Sequence, residues 1–179
     1  MSGLSILLFV LPFPVLFLIH DLEEVATQHR WMLKHQEQLS QRFPGLRRLV
    51  AHLSQLSTAA FGIAALEELL IIVASVCYVL LSGAYAMEIW AALFMTFSFH
   101  LVVHVFQAVA VRGYVPGVVS ALVFIPYVGY GVYSIWLVLS VPQMVAWAAI
   151  GIAFMVINLW LAHRLGMIIA SKNRADVLD

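Results

Sequence analysis

Charge is what this chain has least of: nine basic and nine acidic residues stand among 179. A chain so poor in polar surface cannot face water on all sides as a soluble globule. Cysteine is nearly absent as well. Cys77 stands alone in the middle of an apolar run, which excludes an intrachain disulfide, a cysteine-pair metal site and a redox motif. The first residues lack the basic region and the Ala-x-Ala site of a cleavable signal peptide, so none is expected. There is no internal repeat or low-complexity tract. Net charge is zero, and no nucleic-acid partner is expected.

What the chain has in excess is hydrocarbon. Hydrophobic residues make up 64% of it, the mean hydropathy is +1.00, and the apolar runs are long enough to cross a bilayer. The expected class is therefore all-α, a polytopic transmembrane helix bundle in one domain over residues 1–179. Five membrane-spanning helices are expected, at about 4–27, 56–81, 87–111, 116–139 and 142–166. Pro12 and Pro14 loosen the outer half of the first, because each removes a backbone donor. Ser82-Gly83 and Arg112-Gly113 end the second and third, Pro116 and Pro142 open the last two, and Pro126 kinks the fourth. Residues 28–55 intersperse Trp31, Leu39, Phe43, Leu46, Leu49 and Leu53 with charges, the pattern of an amphipathic hairpin on the membrane surface.

Five alternating spans put every basic residue on one side: Arg30, Lys34, Arg42, Arg47, Arg48, Arg112, Arg164, Lys172 and Arg174. The positive-inside rule makes that side the cytoplasm, with the N-terminus outside and the C-terminus cytoplasmic. Trp31 then falls at the inner boundary and Trp90, Trp136 and Trp147 near the outer one, as an aromatic belt requires. The expected location is the prokaryotic inner (cytoplasmic) membrane, with membrane lipids as partners.

Within this apolar frame, the first span ends in His20-Asp21-Leu22-Glu23-Glu24. The stretch before it, Leu4 to Ile19, is 16 residues, about 24 Å of helix, against a hydrocarbon core of about 30 Å. The motif is therefore carried into the membrane boundary, where ionisable groups must pair, bind a metal or face a wet cavity. On a helix the spacing puts His20, Glu23 and Glu24 on one side. Glu67 and Glu68 lie about 15 Å into the second span, and His104 lies about 12 Å before Arg112 on the third. His100 is one turn from His104, Gln107 continues the face of His104, and Asn158 brings the fifth span to similar depth. Imidazoles and carboxylates offered by three helices suit zinc, iron or manganese. The His100-Leu-Val-Val-His104 pair lacks the glutamate that follows the first histidine in zinc metalloproteases.

Plainer readings compete. His20, Glu23 and Glu24 can be a helix end whose charges snorkel to water, although a double carboxylate exceeds what a simple anchor needs. Glu67 or Glu68 can be a protonated carboxyl bonded to a neighbouring helix; the two point about 100° apart, so only one reaches the centre. His100 reads first as a packing histidine, and Gln107 and Asn158 as interhelical hydrogen-bonding groups. His29, His35, His52 and His163 read as solvated.

The motif closing the first span, the Glu67 region, and His104 followed ten residues later by Tyr114-Val115-Pro116-Gly117 together resemble the HXXEE family of integral membrane proteins. The resemblance covers roughly residues 10–165. It implies that His20, Glu23 and Glu24 are the family-defining group and carries no metal identity or reaction with it.

The residues thus lead to an expected intramembrane metal-dependent enzyme, working from the cytoplasmic leaflet. The expected ligands are His20, Glu23, Glu24, Glu67 and His104, with Glu68, His100, Gln107 and Asn158 in support. Glu24 doubles as a general base for a metal-activated water, and Tyr114 holds a headgroup or an oxyanion at the mouth. One or two divalent ions, zinc or iron, are expected, and no organic cofactor. Phe97, Phe99, Phe106, Phe124 and Tyr127 would wall a pocket for a lipidic small-molecule substrate. Hydrolysis is favoured over di-iron oxidation. The alternatives are a small ion-coupled transporter, for which a homodimer would supply the missing pathway, and a non-catalytic membrane scaffold or metal sensor.

Overall fold

The computed structural model describes residues 6–175, with side-chain surroundings for residues 8–171. Leu4, the expected start of the first span, lies outside the described residues, as do the side chains of Lys172 and Arg174. Among the described residues every regular element is helical. After a π-helical turn at Ile6–Val10 come α1 (Phe13–Arg42), α2 (Arg47–Gln55), α3 (Thr58–Leu80), α4 (Ala86–Val111), α5 (Val118–Trp136) and α6 (Val141–Ala175). Four of these, α3 to α6, are long and apolar enough to cross a membrane, which makes the chain an integral membrane protein.

The helix ends follow local chemistry. Ser57 caps α3 by accepting a hydrogen bond from the Ala60 amide at 3.2 Å. Arg112, at φ 59°, turns the chain out of α4. Pro126 sits inside α5 without ending it.

Two helices run well past their expected ends. Nothing stops α1 near residue 27: there is no glycine or proline between Pro14 and Pro44, and the Thr27 hydroxyl donates back to the Glu23 carbonyl at 2.7 Å. The helix therefore runs on to Arg42, and Pro44–Leu46 turns it into α2, which packs against it. At the other end, α6 continues through Gly166 to Ala175. Gly166 lets the α6 backbone close on the Ala60 carbonyl of α3, where any Cβ would clash, so it marks a close helix approach rather than a stop.

Lipid is as apolar as leucine, so the bundle is held by packing rather than by the hydrophobic effect. Its centre is aromatic. Phe13, Phe17, Trp90, Phe94 and Phe97 are buried together, with Phe13 edge-on to Trp90 at 6.1 Å and to Phe94 at 5.3 Å. Each such pair contributes about 0.5–1.5 kcal/mol beyond area burial. The contacts also give helix directions. Phe13 lies beside Trp90 and His20 beside His104, so α1 and α4 run parallel. Ser120 lies beside His20 while the Tyr127 hydroxyl reaches the Phe9 carbonyl at 2.7 Å, so α5 runs antiparallel to α1.

Candidate metal centre

Four side chains meet where α1, α4 and the start of α5 converge: His20, Glu24, His100 and His104, with one ligand atom from each lying within 4.8 Å of the others. Helix geometry supplies both pairs, because His20 and Glu24, like His100 and His104, are four residues apart and share a face. The Glu24 carboxylate is central. Its Oε2 lies 3.7 Å from His20 Nε2 and 3.6 Å from His100 Nε2, and its Oε1 lies 3.4 Å from His104 Nε2. The Nε2 atoms of His100 and His104 are 2.9 Å apart. His20 is fully buried, and His104 and Glu24 nearly so, whereas the His100 side chain is 38% exposed and forms the open edge.

The donor set fits a metal ion on two grounds. His20 Nε2 is buried and has no hydrogen-bond partner, although it faces the cluster. Such an atom is costly unless something satisfies it. The three Glu24–imidazole separations and the His100–His104 separation, 2.9–3.7 Å, lie around the tetrahedral edge of about 3.3–3.4 Å for ligands about 2.0–2.1 Å from one ion, and all four donors lie within 4.8 Å of one another. The cluster could hold a metal ion; three imidazoles and a carboxylate do not by themselves name it.

Behind the cluster the α4–α5 turn acts as a backstop. Gly117 has φ +81°, and a Cβ there would lie 2.9 Å from Cε1 of both His104 and His20 and 3.1 Å from Glu24 Cγ. Only a glycine allows the turn to lie against the two rings. His104 Nδ1 is buried and has no hydrogen-bond partner.

The second carboxylate of the motif faces elsewhere. Glu23 Oε2 accepts from the Ser120 amide at 2.7 Å and the Ser120 hydroxyl at 2.6 Å, and Oε1 accepts from the Val119 amide and the Tyr114 hydroxyl, both at 3.2 Å. It therefore caps α5 from a neighbouring helix. The residue at the N-cap itself is Gly117, which has no side chain to offer. Tyr114 is 43% exposed in the α4–α5 connection, outside the candidate spans, and also reaches Thr27 Oγ1 at 3.2 Å. Partial burial lifts its pKa above the usual phenol value, the Thr27 contact opposes this, and the Glu23 charge lifts it further. The hydroxyl thus stays a donor. The Trp31 indole donates to the Tyr114 carbonyl at 2.9 Å, bringing the lower half of α1 over the same turn. An open groove of about 480 Å³ begins at Glu23, Tyr114 and Ser120 and is otherwise apolar, along Ile19, Val119, Val123 and Phe124.

The remaining candidates are not among the four grouped donors. Glu67 accepts from Asn158 Nδ2 at 3.0 Å, tying α3 to α6. Glu68 has a buried, unpartnered Oε1 and lines a small crevice with Phe17, Phe97 and Asn158. Gln107 is exposed. Of the histidines read as solvated, His163 is only 4% exposed and faces His52, with Nδ1 and Nε2 3.2 Å apart. His29 and His35 bond to the carbonyls of Leu56 and Trp31. Ser120 and Gly117 were not among the sequence candidates. The only trace of them in the sequence is the Tyr114-Val-Pro-Gly117 element that places a glycine immediately before α5.

A family model described as a protein of unknown function with HXXEE motif matches residues 11–131. No curated protein and no solved structure matches the chain.

Proposed function

The chain belongs to the family of proteins with the HXXEE motif, and from that premise we propose that it is an intramembrane metal-dependent enzyme acting on a lipidic or amphipathic substrate from the cytoplasmic leaflet. The observation that carries this reading is the convergence of three imidazole Nε2 atoms on one buried carboxylate, with His20 Nε2 otherwise unsatisfied. His20, Glu24 and His104 hold the ion, and His100 is the donor at the exposed edge. The described residues bring four donors to one point, which favours one ion over a pair. A set rich in imidazole favours zinc and hydrolysis over di-iron oxidation. Bound there, zinc would supply Lewis-acid activation of water or of a carbonyl.

The chain's own residues supply the rest. Phe97, edge-on to His20 at 5.6 Å, covers the buried side of the cluster and excludes water from it. The Tyr114 hydroxyl, its proton engaged by Glu23 and Thr27, stands at the mouth and offers its oxygen to position a polar headgroup. The groove beside it has the size of a small-molecule site, and its walls accept an acyl chain.

Five spans fit best, with the N-terminus outside, the C-terminus cytoplasmic and the prokaryotic inner membrane as location. Two things support this: α1 lies parallel to α4 and antiparallel to α5, and all nine basic residues then share one side.

One observation favours a second reading. Four protein donors can close a tetrahedral site, as structural metal sites do, which would make the protein a metal-holding scaffold or sensor.

Purified full-length protein in detergent is expected to carry one zinc per chain by elemental analysis, lost in His20→Ala, His104→Ala. It should also release fatty acid from an ester substrate in a chelator-sensitive way. Folded protein without metal would overturn the metal reading; two irons would shift the reaction to oxidation; one zinc with no turnover on any lipid ester would favour the sensor.

A further inference from the structure

Ser120 is an intermediate between the two glutamates' helix and the cluster. Its hydroxyl lies 2.6 Å from Glu23 Oε2, 2.9 Å from His20 Nδ1 and 3.2 Å from the Gly117 carbonyl. A hydroxyl has one proton to give. The short contact to a carboxylate is the charge-assisted kind and takes that proton, so the Ser120 oxygen can only accept from His20. Nδ1 of His20 must then be the protonated ring nitrogen. Nε2, the buried atom with no partner, is left bare and directed at the cluster.

We propose that Glu23 and Ser120 are positioning residues that act in series to fix the tautomer and ring orientation of His20, so that the motif divides its labour: Glu24 binds the ion and Glu23 prepares the histidine that binds it. Glu23 is suited to this because its oxygens are already engaged by Val119, Ser120 and Tyr114. The same carboxylate anchors the start of α5 and thereby holds Ser120 in place. An acceptor on the far nitrogen of a ligating histidine is the usual device for setting which nitrogen binds metal. Here that acceptor is borrowed from a helix 100 residues away in sequence.

The tautomer does not depend on a metal being bound, whereas its consequence for affinity rests on the reading of His20 as a ligand. Two measurements separate them. Histidine ¹⁵N NMR of the chelated full-length protein, with His20 assigned by its loss in His20→Gln, should show the proton on Nδ1 in the wild type. In Ser120→Ala the Nδ1-protonated form should lose its dominance, and Ser120→Thr should restore it. Zinc affinity, measured by competition with a chromogenic chelator, should fall about 10–100-fold in Ser120→Ala at unchanged one-ion stoichiometry and return in Ser120→Thr. A wild-type His20 protonated on Nε2 would overturn the proposal without any variant having to fold. So would a Ser120→Ala protein that keeps both the wild-type tautomer and the wild-type affinity. A wild type with the expected tautomer but no zinc binding would instead overturn the metal reading and leave the positioning role of Glu23 and Ser120 standing.

Discussion

Gly117 shows how little room the cluster has. A methyl there would press on both His20 and His104 at 2.9 Å, and a left-handed backbone costs a non-glycine residue about 1–2 kcal/mol. Gly117→Ala is therefore expected to weaken zinc binding by at least about tenfold, since second-layer disturbances of a metal site are of that order. Gly113→Ala is the control: nothing lies within 4 Å of a Cβ there, and its affinity should match the wild type in the same chelator titration. Equal loss in both would mean that the turn is merely fragile. His20, Glu24 and His104 could be singled out from the sequence because ionisable groups in an apolar run are conspicuous, and because depth counted along each helix brought them level. Gly117 and Ser120 could not. Their importance comes from a turn folding back on two rings, and a glycine or a serine at a helix start looks alike wherever that turn points. Rotation about a helix axis is equally hidden. Counting residues gives His100 and Glu67 their depth but not that His100 meets Glu24 while Glu67 meets Asn158.

Between elements, the junction with most to lose is the start of α5. Its first amides have no cap of their own, since the N-cap is Gly117, and they receive one from Glu23 on α1. Glu23→Ala removes that acceptor and leaves the Val119 and Ser120 amides unsatisfied in the membrane boundary. Loss of an ordinary N-cap costs about 0.5–2 kcal/mol, and a charged acceptor serving several donors belongs at the upper end. Unfolding of chelated protein, in which bound metal adds nothing, should show about that loss; an unchanged midpoint would mean that water replaces the cap without penalty. The helices themselves were easier to foresee than their junctions. The boundaries of α3 and α4 follow from Ser57, Ser82-Gly83 and Arg112-Gly113, local signals that act where they stand. The end of α1 has no such signal until Pro44. Gly166 carries a stop signal that tertiary contact overrides, because its bare Cα serves the approach to Ala60.

At the scale of the whole molecule the question is whether α1 crosses the bilayer beside α4 or only leans on it. Its aromatic residues follow α4 from Trp90 to His104, 14 residues of α4 or about 21 Å of rise, most of a hydrocarbon core of about 30 Å. A helix sheltered along that length has no reason to turn back at the surface. Crossing would also place Arg30, Lys34 and Arg42 with Arg112 and Arg164, whereas a peripheral α1 would bring the N-terminus to that same side. Three spans, α3 to α5, separate Gln38 from Gln143 in either arrangement, so those two positions must label from opposite faces whatever α1 does. An N-terminal epitope tag distinguishes the cases. In a Cys77→Ser background, with Gln38→Cys or Gln143→Cys as the single thiol, an impermeant maleimide on intact cells should label position 143 at once and position 38 only after permeabilisation. The tag should be accessible on intact cells, as position 143 is. A tag protected together with position 38 would remove α1 from the set of spans. The His20 cluster would then be a site reached from the surface rather than one sunk about 12 Å below it, the depth of the eight residues from His104 to Arg112.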